Sequence, residues 1–257
     1  MRRLDPRLQL QTTDPMNPVD QARPTEGPER ARQVQRIFSE IAPRYDLLNH
    51  LLSLNVDRGW RRRAVDRLGW QEKPQGSCLD VCAGTFDLSL ELAGREGFRG
   101  VVLASDFARP MLREGRGKLV GLPVHPVCAD TLELPFPDGV FDGAMVAFGV
   151  RNLSDLSQGF RELARVLKPG ARLVILEFTE PPNPHLRRLY LFYFRRILPL
   201  VGRLVSGHPW AYTYLPESVK AFPSPSSLAR LMSEAGFTET SWELLTGGIA
   251  ALHWGVR

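Results

Sequence analysis

Val34, Ile37, Phe38 and Ile41 fall at i, i+3, i+4 and i+7. That spacing draws one face of a helix that begins near Glu29 and is stopped by Pro43. A second helical stretch is predicted over Tyr45 to Leu54. A third runs from Asp57 to Leu68, with Asp57 as N-cap and Gly69 as stop. Short apolar runs then alternate with helical patterns. Strands are predicted at Ser77–Cys82, Val101–Ser105, Val124–Cys128, Phe141–Ala147 and Arg172–Phe178. Helices are predicted near Asp87–Gly94, Pro110–Leu119 and Asp155–Leu167. The last carries Leu156, Phe160, Leu163, Ala164 and Leu167 on one face, with Ser154 as cap and Lys168-Pro169-Gly170 as terminator.

Strand and helix alternating in this way imply an α/β, doubly wound, mostly parallel sheet with helices on both faces. Leu186–Tyr214 interrupts the alternation as an insertion of apolar and cationic residues; its outer bounds are near 183 and 222. A helix at Ser226–Ala235 follows. Strands at Phe237–Leu245 and Ile249–Val256 are joined through Thr246-Gly247-Gly248, a turn short enough for an antiparallel hairpin. A parallel sheet closed by such a hairpin is the seven-stranded variant of the doubly wound fold.

Composition narrows the class. The chain has 257 residues, 43% of them hydrophobic and 24% charged. That is ordinary for a globular protein and excludes collagen-like, fully disordered and disulfide-stapled chains. No run of 18 apolar residues exists, so no transmembrane helix is expected. Residues 1–28 are polar, carry five prolines and lack an apolar signal region, which reads as a mobile tail ahead of a domain over 29–257. Net charge is +5, but 29 of the 33 basic residues are Arg. That skew fits a solvated surface, and no nucleic-acid partner is expected. Cys78, Cys82 and Cys128 form no C-x-x-C, which fits a reducing cytoplasm; Cys78 and Cys82 read as small core residues.

Three strand ends carry candidate chemistry. The first strand leads into Asp80-Val81-Cys82-Ala83-Gly84-Thr85-Phe86-Asp87. Small residues directly after a strand let backbone approach a ligand, and helix N-terminal amides favour an anion there. The turn is not G-x-G-x-x-G. Asp106 ends the second strand and reads either as acceptor for a ribose diol or as a helix cap. Asp130, after the third, could accept from an adenine amino group, with Thr131 beside it. A doubly wound sheet converges these tips on one crevice.

Asp130-Thr131-Leu132-Glu133-Leu134-Pro135-Phe136-Pro137 is similar to the post-adenine segment of class I S-adenosylmethionine methyltransferases, which are Rossmann-like. Phe148-Gly149-Val150-Arg151-Asn152, Tyr45-Asp46-Leu47-Leu48-Asn49, Trp60-Arg61 and Tyr214-Leu215-Pro216-Glu217-Ser218 resemble one family more closely. It is the UbiE/MenG family, the C-methyltransferases of menaquinone and ubiquinone biosynthesis. The resemblance runs from about Arg36 to Arg257. It implies S-adenosylmethionine as methyl donor, held by Asp80, Gly84, Thr85, Asp106, Asp130 and Thr131. Two positions depart from the pattern: Phe86 replaces the second glycine of a Gly-Thr-Gly-Asp loop, and Ala147 replaces a frequent serine. These two are the support for a rival reading as a non-catalytic quinone- or lipid-binding protein on a methyltransferase frame.

The implied reaction methylates a ring carbon of demethylmenaquinol to give menaquinol; the benzoquinol step of ubiquinone synthesis is the alternative. No metal is expected, because a sulfonium is already electrophilic. The site must assist deprotonation of a ring hydroxyl and stabilise the oxyanion. Arg151, Asn152 and Tyr45 are the candidates, Arg151 by charge or through a water because guanidinium is a poor base. His208 and His253 are further possible bases. Leu186–Ser206 combines aromatics and leucines with Arg187, Arg188, Arg195, Arg196 and Arg203. It reads as wall for a prenylated quinol, as reversible contact with the inner face of the membrane, or as cap or homodimer surface.

Overall fold

The computed structural model describes residues 27–46, 53, 55–197 and 209–257. Most of the predicted tail, much of the predicted Tyr45–Leu54 helix, residues 198–208 of the insertion and His208 lie outside the described residues.

Seven strands form one sheet: β1 (Ser77–Val81), β2 (Val101–Asp106), β3 (Val124–Cys128), β4 (Phe141–Ala147), β5 (Leu167–Phe178), β6 (Thr238–Leu245) and β7 (Ala250–Val256). Their order is β3-β2-β1-β4-β5-β7-β6. The pairings from β3 to β5 are parallel, whereas β7 runs antiparallel to both β5 and β6. Strand order reverses between β1 and β4, where doubly wound sheets bind ligands beyond the carboxyl ends.

Alternation along the strands builds two cores. Val174 and Leu176 face α2 (Val56–Arg67) and α3 (Asp87–Ala93), against Ala64, Val65, Leu88 and Leu92. Leu173 and Ile175 face α5 (Leu156–Val166) and α8 (Pro225–Glu234), against Phe160, Leu163, Leu228 and Met232. Each fully buried Leu or Ile stabilises by roughly 1.5–3 kcal/mol. A third, smaller cluster lies apart from both. Val34 and Ile37 of α1 (Gly27–Ile41) meet Tyr190 of α6 (Pro184–Phe192), Phe194, and Tyr214 of α7 (Pro209–Ala221).

Several expected boundaries move. Helix α1 begins at Gly27, inside the expected tail. Asp57 does not cap α2. Asn55 stands at the N-cap, and buried Asp57 instead accepts from Ser53 and Arg61, the latter balancing its charge. Asp155, not Ser154, caps α5, accepting from Gln158 N at 2.9 Å. Lys168-Pro169-Gly170 already belongs to β5, because Leu167 pairs with Phe141. Cys82 is only partly a core residue: it packs against a core but leaves β1 with φ 53° and lines the crevice described below.

Candidate active site

A crevice opens at the carboxyl ends of β1 to β4. Gly84, Asp106, Asp130 and Thr131 line its sheet side, Phe148 and Asn152 one end, and Tyr45 its cover. Six predicted site residues therefore meet in one place.

Asp106 organises the loop after β1. Its Oδ2 accepts from Gly84 N at 2.9 Å and its Oδ1 from Ala108 N at 2.8 Å. Burial pushes its pKa up to about 6, against the pull of those two amides. The helix-cap reading fails in detail: Ala108 is the N-cap of α4 (Arg109–Gly115), without a side-chain cap bond. Each oxygen keeps a lone pair, so a diol could still donate to this carboxylate. Gly84 has φ +56°, and a Cβ there would lie 3.3 Å from Met111 Cε and 3.8 Å from Tyr45 Cε1. Bare backbone at this point keeps room between loop and cover.

Phe86 resolves the apparent defect in the loop. It takes φ 75°, a strain of roughly 1–2 kcal/mol for a residue with a Cβ. Its ring is fully buried in the core beneath α3, away from the crevice, which contributes about 2–3 kcal/mol in return. Gly115 makes the space, since a Cβ there would come within 2.6 Å of the Phe86 ring. The phenyl group therefore does not obstruct the crevice.

Asp80, Thr85 and Arg151 are not among the crevice-lining residues. Asp80 is buried; its Oδ2 accepts from Ser89 at 2.5 Å, while Oδ1 has no partner among the described residues. Burial pushes its pKa up to about 7. Thr85 Oγ1 donates to Asp46 Oδ1 at 2.5 Å, so its hydroxyl serves the loop. Lys118 Nζ joins Asp46, Asp87 and the Thr85 carbonyl at 2.5, 3.2 and 3.1 Å. The sequence reading missed Asp46 and Lys118 as loop clamps. The only local hint is that Lys118 is one of four lysines in an arginine-rich chain.

Arg151 sits behind Asn152 in the turn after β4. Its Nη1 meets Glu177 Oε1 at 2.7 Å and the Phe148 carbonyl at 2.5 Å, and its backbone N donates to Glu177 Oε2 at 3.2 Å. Burial opposes its charge, but Glu177 and then Tyr214 and Tyr45 outweigh this and hold its pKa above the ordinary value. Arg151 is a fixed cation and not a base. Tyr214 Oη donates to Asn152 Oδ1 at 3.1 Å, and Arg30 Nη2 of α1 donates to the Arg151 carbonyl at 2.5 Å. Glu177 was also missed; a carboxylate ending the apolar run Leu173–Leu176 was its signal. His253 is structural: Nε2 lies 3.1 Å from the Pro225 carbonyl, and burial lowers its pKa to about 4.

The sheet order, the closing antiparallel hairpin and the crevice at the switch point are those of the class I methyltransferase fold. The S-adenosylmethionine-dependent methyltransferase of Aquifex aeolicus superposes with TM-score 0.55 at 20% identity, over 76% of this chain and 88% of that one. The [4+2]-cyclase SpnF gives 0.63 at 18%, over 85% and 76%. Likeness at such identity shows the fold alone. Sequence comparison goes further. The ubiE/COQ5 methyltransferase family model matches residues 26–257. Demethylmenaquinone methyltransferase of Thermus thermophilus is 52% identical over 223 residues, 86% of this chain and all of that protein. Ubiquinone/menaquinone biosynthesis C-methyltransferase UbiE of Geobacter sulfurreducens is 45% identical over 233 residues, 89% of this chain and 90% of its own. The chain belongs to the ubiE/COQ5 methyltransferase family.

Proposed function

We propose that this enzyme transfers a methyl group from S-adenosylmethionine to a ring carbon of demethylmenaquinol, giving menaquinol. The observation that carries the reading is the Glu177-locked Arg151 cation directly behind Asn152, which lines the end of the crevice, in a chain whose relatives are named for this reaction. Transfer of isotope from methyl-labelled S-adenosylmethionine to the naphthoquinol ring tests it.

When bound, S-adenosylmethionine supplies an electrophilic methyl group. Asp106 would hold the ribose hydroxyls, Gly84 and Thr85 would belong to the loop around the methionine portion, and Asp130 and Thr131 would flank the adenine. Asp80 Oδ1, buried and without a partner among the described residues, would be an acceptor for the cationic methionine end. Arg151 stabilises the quinol oxygen as it loses its proton to water, which pushes electron density onto the neighbouring ring carbon. Asn152 orients that hydroxyl or the accepting water. Tyr45 covers the crevice and excludes bulk water.

The prenyl chain draws the enzyme to the cytoplasmic face of the membrane. Helix α6 supports this contact. Leu189 and Phe192 are 64% and 57% exposed, beside exposed Arg188 and Arg196. Residues 181–216 contain no Asp or Glu. Such a face suits an anionic lipid surface. No helix among the described residues is long and apolar enough to cross a membrane. The protein is expected to float with phosphatidylglycerol-containing vesicles and to stay soluble with phosphatidylcholine alone. Leu189→Glu with Phe192→Glu reduces the floated fraction at least fivefold. Wild-type protein that remains wholly unbound contradicts the membrane contact.

A further inference from the structure

The polar cluster where β4 and β5 end is nearly closed on itself. Glu177 accepts from the Arg151 side chain and backbone and from Phe178 N, while Asn152 accepts from Tyr214. Among the described residues, three buried atoms of this neighbourhood lack a hydrogen-bond partner: Arg30 Nε, Arg151 Nε and the Tyr190 hydroxyl. Both arginines are engaged through other nitrogens. The hydroxyl is the only polar group of its side chain, and Tyr190 is 5% exposed. A buried, unpartnered hydroxyl is destabilising, and a phenylalanine would fill the same space without that cost.

Tyr190 also stands at the end of an aromatic wall that starts in the crevice. Phe148, a lining residue, stacks on Phe178 at 4.4 Å between centroids. Phe178 meets Phe194 at 6.4 Å, and Phe194 meets Tyr190 at 4.2 Å. Arg151 lies over the Phe178 ring at 5.7 Å. The guanidinium and the phenol thus lie along one series of aromatic rings that starts at the crevice. Tyr190 and Phe194 belong to the separate cluster formed with α1 and α7, whereas Phe148 belongs to a main core.

We propose that Tyr190 is a substrate-binding residue: its hydroxyl donates to a ring oxygen of the bound quinol, which the cover helices part to admit. This rests on the quinol reading above. Burial drives the Tyr190 pKa upward, against the nearby Arg151 charge, so its proton stays in place as the substrate oxygen becomes anionic. The hydrogen bond then strengthens as charge develops, which is where a donor accelerates the reaction.

Tyr190→Phe removes only the vacant hydroxyl. The expected result is a ligand-free Tm that is unchanged or about 2–4 °C higher. S-adenosylmethionine affinity stays within twofold, and kcat/KM for reduced short-chain demethylmenaquinone falls about 10–100-fold, mostly in kcat. A variant with wild-type kcat/KM overturns the proposal, whatever its Tm. A clearly lowered Tm overturns it too, because the hydroxyl then has a protein partner in solution. Wild-type enzyme that binds S-adenosylmethionine but never methylates the quinol overturns the quinol reading, and this proposal with it.

Discussion

Arg151→Met is expected to lower kcat for quinol methylation by about 10²–10³-fold, the usual effect of removing a preorganised donor from a developing oxyanion. S-adenosylmethionine affinity stays within about threefold, because Arg151 is not among the crevice-lining residues. Stability falls as well. Glu177 is 1% exposed and would keep a buried charge without its 2.7 Å partner. Breaking such a pair from one side costs about 3–5 kcal/mol, whereas replacing both charges is often neutral. Arg151→Met with Glu177→Gln is therefore expected to regain most of the lost stability and none of the rate. Urea unfolding and saturation kinetics on the three proteins check this. Recovery of rate in the double variant would show that Arg151 acts only through the fold.

Asp106→Asn is expected to weaken S-adenosylmethionine binding about 10²-fold, or roughly 3 kcal/mol, with kcat at saturating donor reduced less than threefold. One carboxylate oxygen becomes an amide NH₂. It must then face the N–H of Gly84 or of Ala108, now 2.9 and 2.8 Å from the two oxygens. Donor opposes donor, and the loop around Gly84 loses its anchor. The wild-type affinity also carries a pH signature. The ribose hydroxyls require acceptors, and Asp106 is raised to about 6 in the free protein. Binding is thus strongest above that value, where the carboxylate is already ionised. Below it, affinity falls by up to tenfold per pH unit, since a proton must first be expelled. Asp80, raised to about 7, contributes in the same sense. Calorimetry across pH 5–8 should find one proton fewer in the slope of Asp106→Asn than in wild type.

The sheet was legible in the sequence because its signals are local. Each parallel strand is a short apolar run bounded by turn residues, and Val124–Cys128 and Phe141–Ala147 match residue for residue. Boundaries moved where a side chain found a distant partner, as Asp57 did with Arg61 instead of its own helix amides. The crevice was legible through Asp106, Asp130 and Asn152, since strand tips converge by topology. The contacts that hold it were not. Asp46 with Lys118 spans 72 positions, and Arg151 with Glu177 spans 26; no periodicity encodes such pairs. Phe86 shows the same gap in reverse. The glycine it replaces left open whether the backbone there is left-handed or helical; it is left-handed, and the harmless burial of the ring depends on Gly115, a helix away.

The most direct test of the account uses purified enzyme, methyl-labelled S-adenosylmethionine and chemically reduced short-chain demethylmenaquinone, with mass spectrometry of the organic extract. The account predicts one labelled methyl group on the naphthoquinol ring for each S-adenosylmethionine consumed. Retention of all label in S-adenosylmethionine, by an enzyme that demonstrably binds it, would contradict the assignment of the quinol as substrate.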